Sequence, residues 1–538
     1  VVAGYSYQEF AREGINAGGI GFGSDMGLAA QQLEDQYGLI ANTISGSFQN
    51  FAYDQNRDYV NRIDFGAPFD SAFVSEPIGT NYTQLFTAYF ANTFDNTDEL
   101  QSYFARVNYT LADKYLFTGT FRADGSSTFG PENQYGYFPS GAFAWQIHEE
   151  DFIGDNVSTL KLRLGAGIVG NQEGLGYANF IRRTRFSDIG ITDNLTVTNS
   201  GTQFVGNNNE ALQWESTLDV NVGVDFGFNN DRFNGSFNLY RKETTDLLLL
   251  STLAAPQVPG IETIFQNLTD GKVVNQGVEL ALNYDFVQTE DFTFSSSFNI
   301  AYNHNEVLDT DRIIDTGPIN GNGLTGAFAQ RLQAGQPLFS FYMAEFTGFD
   351  ENGNPTYVDV DGNGEGDPDA DKKFVGEDAQ PDWTAGLSLN ATYKNFDFAA
   401  YFNGQFGFSV YNATDNAFFN AGGITIAKNV TTDVLTSGEA PGSSVAVSTR
   451  FLEKGDFVRL QTLSVGYNVP MSGEGLFDSL RFSVTGQNVF LITGYSGLDP
   501  EVSTNTGSLN ASNIPTAGIE YAAFPRPRTF TLGVNARF

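Results

Sequence analysis

Residues 100–143 read LQSYFARVNYTLADKYLFTGTFRADGSSTFGPENQYGYFPSGAF, and their alternation decides the fold. One side of the first limb is uncharged and mostly aromatic or aliphatic, comprising Tyr103, Ala105, Val107 and Tyr109. The opposite side is polar and comprises Ser102, Arg106 and Asn108. The second limb repeats the pattern, with Tyr115, Phe117, Gly119 and Phe121 opposite Lys114, Thr118, Thr120 and Arg122. Strict alternation in two limbs around a short turn predicts a β-hairpin.

Both predicted strands are long enough to cross a membrane, because a tilted transmembrane strand takes about 9–11 residues. Their apolar side carries no charge, whereas the opposite side carries arginine and lysine. This contrast is typical of a barrel wall with lipid outside and water inside. We therefore predict an all-β protein, an antiparallel transmembrane β-barrel with long extracellular loops.

Three runs carry a resemblance to a known family: YFARVNY at 103–109, KYLFTGTFRADGSSTFGP at 114–131 and YGYFPSGAFAW at 135–145. They resemble the barrel signature of SusC/RagA-type TonB-dependent outer-membrane transporters. The resemblance implies uptake of a glycan or peptide captured with a SusD-like surface lipoprotein and energised through TonB, ExbB and ExbD. It also implies the outer membrane of a Gram-negative, Bacteroidota-like bacterium, no enzymatic activity and no required cofactor.

The amino-acid composition disfavours nucleic-acid binding, cysteine chemistry and membrane-spanning helices. The formal charge of −35 disfavours nucleic acid, whose phosphates would be repelled, and is readily explained by solvated loops. The absence of cysteine excludes a disulfide framework and thiolate chemistry. The most apolar run, LLLLSTLAA at residues 247–255, is shorter than the roughly 18 residues of a membrane helix.

The lengths of the connections between strands predict which end of the barrel is periplasmic and which is extracellular. Short turns at residues 111–113 and 394–395 alternate with long connections such as residues 124–133 and 170–212. Because such barrels have short periplasmic turns and long external loops, the long connections are predicted to be extracellular, including the region 303–382. About fourteen strands result: the two hairpin strands and residues 2–10, 135–147, 160–169, 217–228, 233–240, 278–286, 292–302, 383–393, 396–406, 456–468, 481–490 and 529–538. Residues 84–94 are either a hairpin arm or part of a long loop.

Residues 217–228 show which face meets lipid. Leu218, Val220, Val222, Val224, Phe226 and Phe228 alternate with Asp219, Asn221, Asp225 and Gly227. A charge in mid-membrane costs up to about 2–4 kcal/mol, so the aspartates are predicted to face the lumen. The predicted lipid face includes Tyr103, Val107, Phe117, Phe121, Val220, Val222 and Val224.

The last strand, TFTLGVNARF, has an apolar side that ends at a terminal aromatic residue and includes Phe530, Leu532, Val534, Ala536 and Phe538. The family resemblance implies that Phe530, Leu532, Val534 and Phe538 form the signal read by the barrel-assembly machinery. The alternative is an ordinary amphipathic edge strand.

Enzyme motifs have weak support. GAGIVG at residues 165–170 matches the phosphate-binding G-x-G-x-x-G pattern, but it lies within a predicted strand and no predicted helix follows it. His148 and His304, the two histidines, are far apart and lack nearby metal-ligand clusters, which disfavours a zinc site or a histidine-based triad. Paired carboxylates lie in loops, so glycosidase chemistry has little basis.

One loop has the spacing of a calcium site. Residues 359–371 read DVDGNGEGDPDAD, and the candidate ligands are Asp359, Asp361, Asn363, Glu365, Asp367 and Asp371. Alternate oxygen side chains around the glycine at Gly364 suit the six to eight oxygen ligands of Ca²⁺. The loop departs from the EF-hand pattern, because position twelve is Ala370 and Asp371 follows one residue late. A solvated acidic loop is the alternative.

We interpret residues 1–538 as the C-terminal part of a barrel of about 22 strands. The chain opens in an alternating strand without a signal peptide. We therefore expect the signal peptide, plug and early strands to lie upstream or, for the strands, on a separate chain. A self-closed barrel pairing residues 2–10 with residues 529–538 is the rival arrangement. A passive porin, a structural barrel and a secreted acidic adhesin or hydrolase remain alternative functions, and the substrate is not defined.

Overall fold

A computed structural model describes a long, twisted antiparallel sheet and a cluster of loops at one end of it. The described residues are 1–19, 51–54, 59–63, 89–173, 175, 179–181, 184–186, 190–191, 197–198, 202–204, 207–252, 263–310, 312–319, 324, 327–425, 427–442, 446–471, 477–502 and 516–538. Among them, no helix has both the length and the apolar character needed to cross a membrane.

The sheet contains sixteen strands, of which two, Phe51–Asp54 and Tyr59–Ile63, are short. The other fourteen are β1 (Val2–Gly19), β2 (Tyr89–Leu111), β3 (Tyr115–Ser126), β4 (Tyr135–Gln146), β5 (Val157–Asn171), β6 (Glu215–Phe228), β7 (Phe233–Thr252), β8 (Thr263–Gln288), β9 (Phe292–Asp309), β10 (Trp383–Tyr393), β11 (Phe396–Phe406), β12 (Phe457–Asn468), β13 (Ser479–Thr493) and β14 (Thr529–Arg537). Each pairs antiparallel with the next in the chain, so the wall is an up-and-down meander.

The predicted strands correspond to the fourteen observed ones, and the main differences lie at their ends. The predicted bounds of β10 and β11 match the observed bounds. In contrast, the predicted strand 2–10 continues to Gly19 and pairs throughout with β2, which begins at Tyr89. The open question about residues 84–94 is therefore resolved for residues 89–94, which extend β2; residues 84–88 lie outside the described residues.

Short turns and long connections alternate along the wall. At the turn end of the sheet, Ala112, Asp113, Asn229, Asn230 and Asp231 adopt positive φ values of 52–58°, which suit tight hairpin turns on a twisted sheet. At the other end, the loop end, residues 172–214, 310–382, 407–456 and 494–528 connect strands. The connection 170–212, predicted as loop, contains the short strands Thr184–Phe186, Gly190–Ile191, Val197–Thr198 and Thr202–Phe204.

Three of the long connections pack into one unit, which we call the loop cluster (the described residues of 310–382, 407–456 and 494–528). Its buried core includes Phe341, Met343, Tyr411, Val447 and Ile519, drawn from all three connections. Its elements are the strands Ile314–Pro318, Phe328–Leu332, Ser340–Ala344, Phe346–Phe349, Pro355–Tyr357, Lys372–Asp378, Ser409–Asn412, Leu452–Lys454 and Ile519–Glu520, helices α1 (Ala413–Phe418) and α2 (Gly422–Thr425), and the 3₁₀ turns Thr432–Leu435 and Thr449–Phe451.

Within the described residues, three strands of the sheet have an unpaired side: the short strand Phe51–Asp54, β1 and β14. The first strand, β1, pairs with β2, whereas the last strand, β14, pairs only with β13. No hydrogen bond joins β1 to β14 in the described chain. Each edge therefore presents a row of unpaired backbone groups.

Candidate functional site

One face of the sheet is apolar and solvent-accessible in the isolated chain. Of the residues predicted to meet lipid, Tyr103, Val107, Phe117, Phe121, Val220 and Val222 lie on it with 38–51% of their surface exposed, and Val224 is half-buried. Aromatic pairs line this face near the turn end: Tyr109 with Phe117, Tyr115 with Trp145, Phe228 with Phe233, and Phe396 with Tyr467. An apolar band bordered by aromatic residues is typical of a lipid-facing barrel wall.

The opposite, polar face carries paired charges. Arg163 on β5 donates hydrogen bonds of 2.9 and 2.7 Å to the two oxygens of Asp225 on β6, and a third of 2.8 Å to Asn238. The same face holds the Arg481–Asp397 ion pair at 2.6 Å. Cavities of about 850, 570 and 540 Å³ lie against it. The prediction that Asp219 and Asp225 face away from the apolar band is confirmed, since Asp225 pairs with Arg163 and Asp219 lies 3.9 Å from Lys242 on the polar side.

The glycines of GAGIVG lie within β5, as predicted, and their role is steric. A Cβ atom at Gly165 would meet the Asn221 side chain at 2.8 Å, and one at Gly167 would meet Cβ of Ser140 at 2.7 Å. At Gly170 it would collide with the Phe138 ring. Glycine at these positions makes room for side chains of the neighbouring strands.

The two histidines lie apart and face different groups. Nδ1 of His148 accepts a 3.2 Å hydrogen bond from the Leu160 backbone N–H, near the turn end of the sheet. Nε2 of His304 on β9 lies 3.5 Å from a carboxylate oxygen of Glu306. Each is thus accounted for by local polar contacts.

The acidic loop brings three predicted ligands together. Ligand oxygens of Asp359, Asp361 and Asp371 all lie within 4.8 Å of one another. Two Ca²⁺ ligands at 2.3–2.6 Å from one ion can be at most about 5 Å apart, so this spacing fits one cation. The late position of Asp371 does not remove it from the cluster, because the chain turns at Gly362 and Gly364, whose φ values are +78° and +95°.

Backbone groups of the same loop organise these carboxylates. Asp371 is fully buried, and it accepts hydrogen bonds from the N–H groups of Val360 at 2.7 Å, Asp361 at 3.0 Å and Asp367 at 2.7 Å. These donors hold the pKa of Asp371 below its usual range, so the group is an anion at neutral pH. Asp359 accepts from Gly362 and Gly364 at 2.6 and 2.8 Å.

The other three predicted ligands stay at the surface. The side-chain oxygen of Asn363 accepts from the Glu365 N–H at 2.8 Å, and that of Asp367 accepts from the Asp369 N–H at 2.8 Å. Asn363, Glu365 and Asp367 are not in the close group of three, and calcium binding stays a prediction.

One buried cluster of charged residues was not predicted from the sequence. Arg459 on β12 is fully buried and donates hydrogen bonds of 2.6 Å to both Asp499 and Asn488. Its guanidinium also lies 3.5 Å from Glu501. These contacts hold Asp499 and Glu501, in the connection after β13, against β12. The available sequence signal was a lone arginine in a periodic strand.

The last strand lies where the sequence places it. Phe530, Leu532 and Val534 are exposed on the apolar side of β14, and Phe538 follows its last residue; the exposed fractions of the four are 63–81%. The Phe538 ring contacts Phe477 with centroids 4.9 Å apart. The structure therefore shows the apolar row, and its recognition by the barrel-assembly machinery stays a prediction.

Comparisons with known proteins agree on one family. Residues 2–489 match the family described as TonB dependent receptor-like, beta-barrel. TonB-dependent receptor P3 of Formosa agariphila is 33% identical over 486 residues, which cover 83% of this chain and 46% of the relative. TonB-dependent receptor SusC of Bacteroides thetaiotaomicron is 33% identical over 468 residues, covering 82% and 44%.

A solved structure shares the fold. The RagAB peptide importer in its open-open state superposes with a TM-score of 0.71 at 24% identity, covering 84% of this chain and 48% of that one. The chain therefore spans about half the length of the relatives it matches.

Proposed function

This chain belongs to the TonB dependent receptor-like β-barrel family, and from that premise we propose that it forms part of the wall of a nutrient importer. The resemblance found in residues 103–145 is confirmed, and so is the transmembrane barrel class. Barrels of this type lie in the outer membrane, and members of the family are transporters and receptors. The cargo proposed is a glycan or a peptide.

The observation that carries this proposal is the chemical contrast between the two faces of one sheet. Val222 lies between Leu164 and Leu239 on the apolar side. The Arg163–Asp225 pair lies on the polar side of the same strands. A sheet with these faces is stable only where one side meets hydrocarbon and the other meets water.

Three partners complete the proposal. We infer a SusD-like surface lipoprotein and TonB with ExbB and ExbD, on the basis of the similarity to SusC. The apolar row of β14, Phe530, Leu532, Val534 and Phe538, is proposed as the signal for the barrel-assembly machinery. The exposure of these four side chains supports that role.

We also propose that the acidic loop binds Ca²⁺ at the loop end of the barrel. The three carboxylates of Asp359, Asp361 and Asp371 are the direct ligands in this proposal. Its support is their spacing, the left-handed turn at Gly364 and the ionised state of Asp371. The ion would tie two ends of the loop together, with water filling the remaining coordination positions.

Transport is tested in a bacterium that carries the complete gene. We expect growth on the cognate glycan or peptide to be lost when the gene is deleted, and also when TonB is inactivated or the neighbouring SusD-like gene is removed. Uptake that persists without TonB would instead indicate a passive porin.

A further inference from the structure

The connection between β4 and β5, residues 147–156, carries an exposed aromatic residue at the turn end of the sheet. Phe152 has 72% of its surface exposed. The Ile153 N–H donates a 3.1 Å hydrogen bond to the Glu150 carbonyl, which closes a tight turn. Asp151 and Phe152 therefore form the tip of this turn.

The side chain of Glu150 holds the turn against the end of the wall. It accepts hydrogen bonds of 2.9 Å from the Tyr115 hydroxyl and 3.1 Å from the Trp145 indole N–H. A third bond, of 2.8 Å, comes from the Lys114 ammonium. These donors, Lys114 foremost, hold the pKa of Glu150 below its usual range, so the group is an anion at neutral pH. Three donors, from β3, β4 and the turn before β3, thus fix the position of one carboxylate.

Tyr115 and Trp145 show on which side of the wall the connection lies. They are paired across β3 and β4, and their rings stack with centroids 6.2 Å apart. Two residues further along each strand, Phe117 pairs with Phe143 on the apolar face, where Phe117 is 43% exposed. Side chains two residues apart in a strand share a face, so Tyr115 and Trp145 lie on the lipid-facing side. Glu150 therefore reaches them from that side.

The position of Phe152 continues the aromatic border of the lipid face. A single exposed apolar side chain is ordinary on a water-soluble surface. This one is at the tip of a hydrogen-bonded turn that is joined to two border residues, Tyr115 and Trp145. Aromatic rings at this level of a barrel lie at the boundary between lipid headgroups and hydrocarbon.

The charge of the connection indicates which kind of lipid surface it suits. Residues 147–156 contain four carboxylates and no lysine or arginine. Glu150 is paired with Lys114. Asp151 and Asp155 are exposed, and neither has an ion pair in the part of the chain that the structure describes. Because like charges repel, an anionic surface is disfavoured and a zwitterionic one is favoured.

We propose that residues 147–156 are a membrane anchor, in which the Phe152 ring inserts among the headgroups of a zwitterionic lipid leaflet and Glu150 is the positioning residue that holds the turn there. The inference does not depend on the transport function. It requires only that the apolar face of the wall meets lipid.

Spin labelling of the complete protein in phosphatidylcholine vesicles tests the anchor. Phe152→Cys places a nitroxide at the tip of the turn, and Glu290→Cys is the matched control in the exposed turn between β8 and β9. Residues 1–538 contain no cysteine, and any cysteine elsewhere in the complete protein is first replaced by serine. Oxygen concentrates in hydrocarbon, whereas a nickel chelate stays in water. We expect the label at position 152 to be more accessible to oxygen than to nickel, and the label at position 290 to show the reverse.

Two results at position 152 would overturn the proposal. Greater accessibility to nickel than to oxygen would place the turn in water. Shielding from both reagents would show that protein, such as a second copy of the chain, covers the turn. Phe152→Trp retains an aromatic ring and gives an independent reading: brominated phosphatidylcholine should quench its added fluorescence, and an unquenched signal would also overturn the proposal.

Further variants separate the role of Glu150 from a general effect on folding. In the protein labelled at position 152, Glu150→Ala is expected to shift the label towards nickel accessibility and to leave the label at position 290 unchanged. Glu150→Gln keeps an oxygen that accepts from Tyr115 and Trp145 and is expected to retain the parent pattern. An unchanged label in Glu150→Ala would exclude Glu150 as the positioning residue.

Lipid composition tests the preference for a zwitterionic surface. Replacing half of the phosphatidylcholine with phosphatidylglycerol is expected to lower the ratio of oxygen to nickel accessibility at position 152, because the anionic headgroups repel the connection. The same ratio in both kinds of vesicle would contradict this part of the proposal.

Discussion

Asn221 and Val222 are adjacent in β6 but face opposite sides of the wall. Val222 lies between Leu164 of β5 and Leu239 of β7, within the apolar band. Asn221 lines the cavity of about 850 Å³ on the other side, where its side chain would meet any Cβ atom placed on Gly165. These two adjacent residues therefore face different phases: Val222 faces the predicted lipid and Asn221 the predicted aqueous lumen.

This relationship predicts different outcomes for the same new side chain. Val222→Arg is expected to disfavour membrane insertion by about 2–4 kcal/mol, because the charge enters hydrocarbon. Asn221→Arg is expected to insert normally. The measurement is the folded fraction in outer membranes, read from heat-modifiable migration on gels. Equal tolerance of both substitutions would show that the faces are assigned wrongly.

The wall could be predicted from the sequence because period-two alternation is a local signal. Trp383–Tyr393 and Phe396–Phe406 were predicted to the residue, since each strand is apolar on one side and a two-residue turn joins them. At the loop end the predicted strands stop too early: β7 is predicted over residues 233–240 but runs to Thr252. Beyond residue 240 the strand extends past the apolar band. Arg241 and Glu243 lie 3.3 Å apart in this part of the strand, where polar residues do not alternate with apolar ones.

The loop cluster could not be predicted in the same way. Phe341 and Tyr411 share a core although 70 positions separate them, and neither lies in a periodic run. Arg459 and Asp499 are likewise joined only by the path of the chain through three dimensions. The acidic loop was visible because its ligands are close in sequence, but the part played by Asp371 depended on how the loop folds.

Calcium binding is expected to depend on Asp371. Asp371→Asn should lower the Ca²⁺ affinity of the purified protein by at least about tenfold, because a buried anionic ligand is neutralised. Asp350→Asn is the matched control, since Asp350 also accepts backbone hydrogen bonds in a glycine turn, from Asn352 and Asn354. Calorimetry with Ca²⁺ gives the affinities. A density map from calcium-containing buffer without an ion at about 2.3–2.6 Å from these oxygens would count against the site.

Breaking the buried pair at Arg459 is expected to loosen the last loop. Arg459→Met leaves Asp499, which is 4% exposed, without its 2.6 Å partner and should destabilise the protein by about 3–5 kcal/mol. Adding Asp499→Leu should restore most of the loss, because no uncompensated charge stays buried. Hydrogen exchange of residues 494–502 provides the readout. If the double variant were less protected than Arg459→Met alone, the explanation by charge burial would fail.

The loop cluster is expected to become more stable on mild acidification. Burial, with further contributions from Glu453, Glu520 and Asp433, raises the pKa of Asp415 to about 6. The unfolded value is about 3.9, so the folded state holds this proton more tightly. The resulting stability is full below about pH 4 and is lost as pH rises through about 6.

Hydrogen exchange of helix α1 at pH 5 and pH 7.5, corrected for intrinsic rates, checks this prediction. The parent should be better protected at pH 5, and Asp415→Asn should flatten the difference by remaining neutral at both values. Asp378 has a pKa raised to about 6 as well, so Asp378→Asn serves to separate the two groups. An unchanged pH dependence in Asp415→Asn would exclude that carboxyl as its source.

The central claim is that this sheet is one part of a larger transmembrane barrel wall. The long edge strands, β1 and β14, each have a free side within the described chain, and leaving backbone groups unpaired in lipid costs several kcal/mol per group. The direct measurement is a cryo-electron-microscopy structure of the complete protein purified from outer membranes. We predict several further strands between Val2–Gly19 and Thr529–Arg537; hydrogen bonds joining those two strands directly to each other would contradict it.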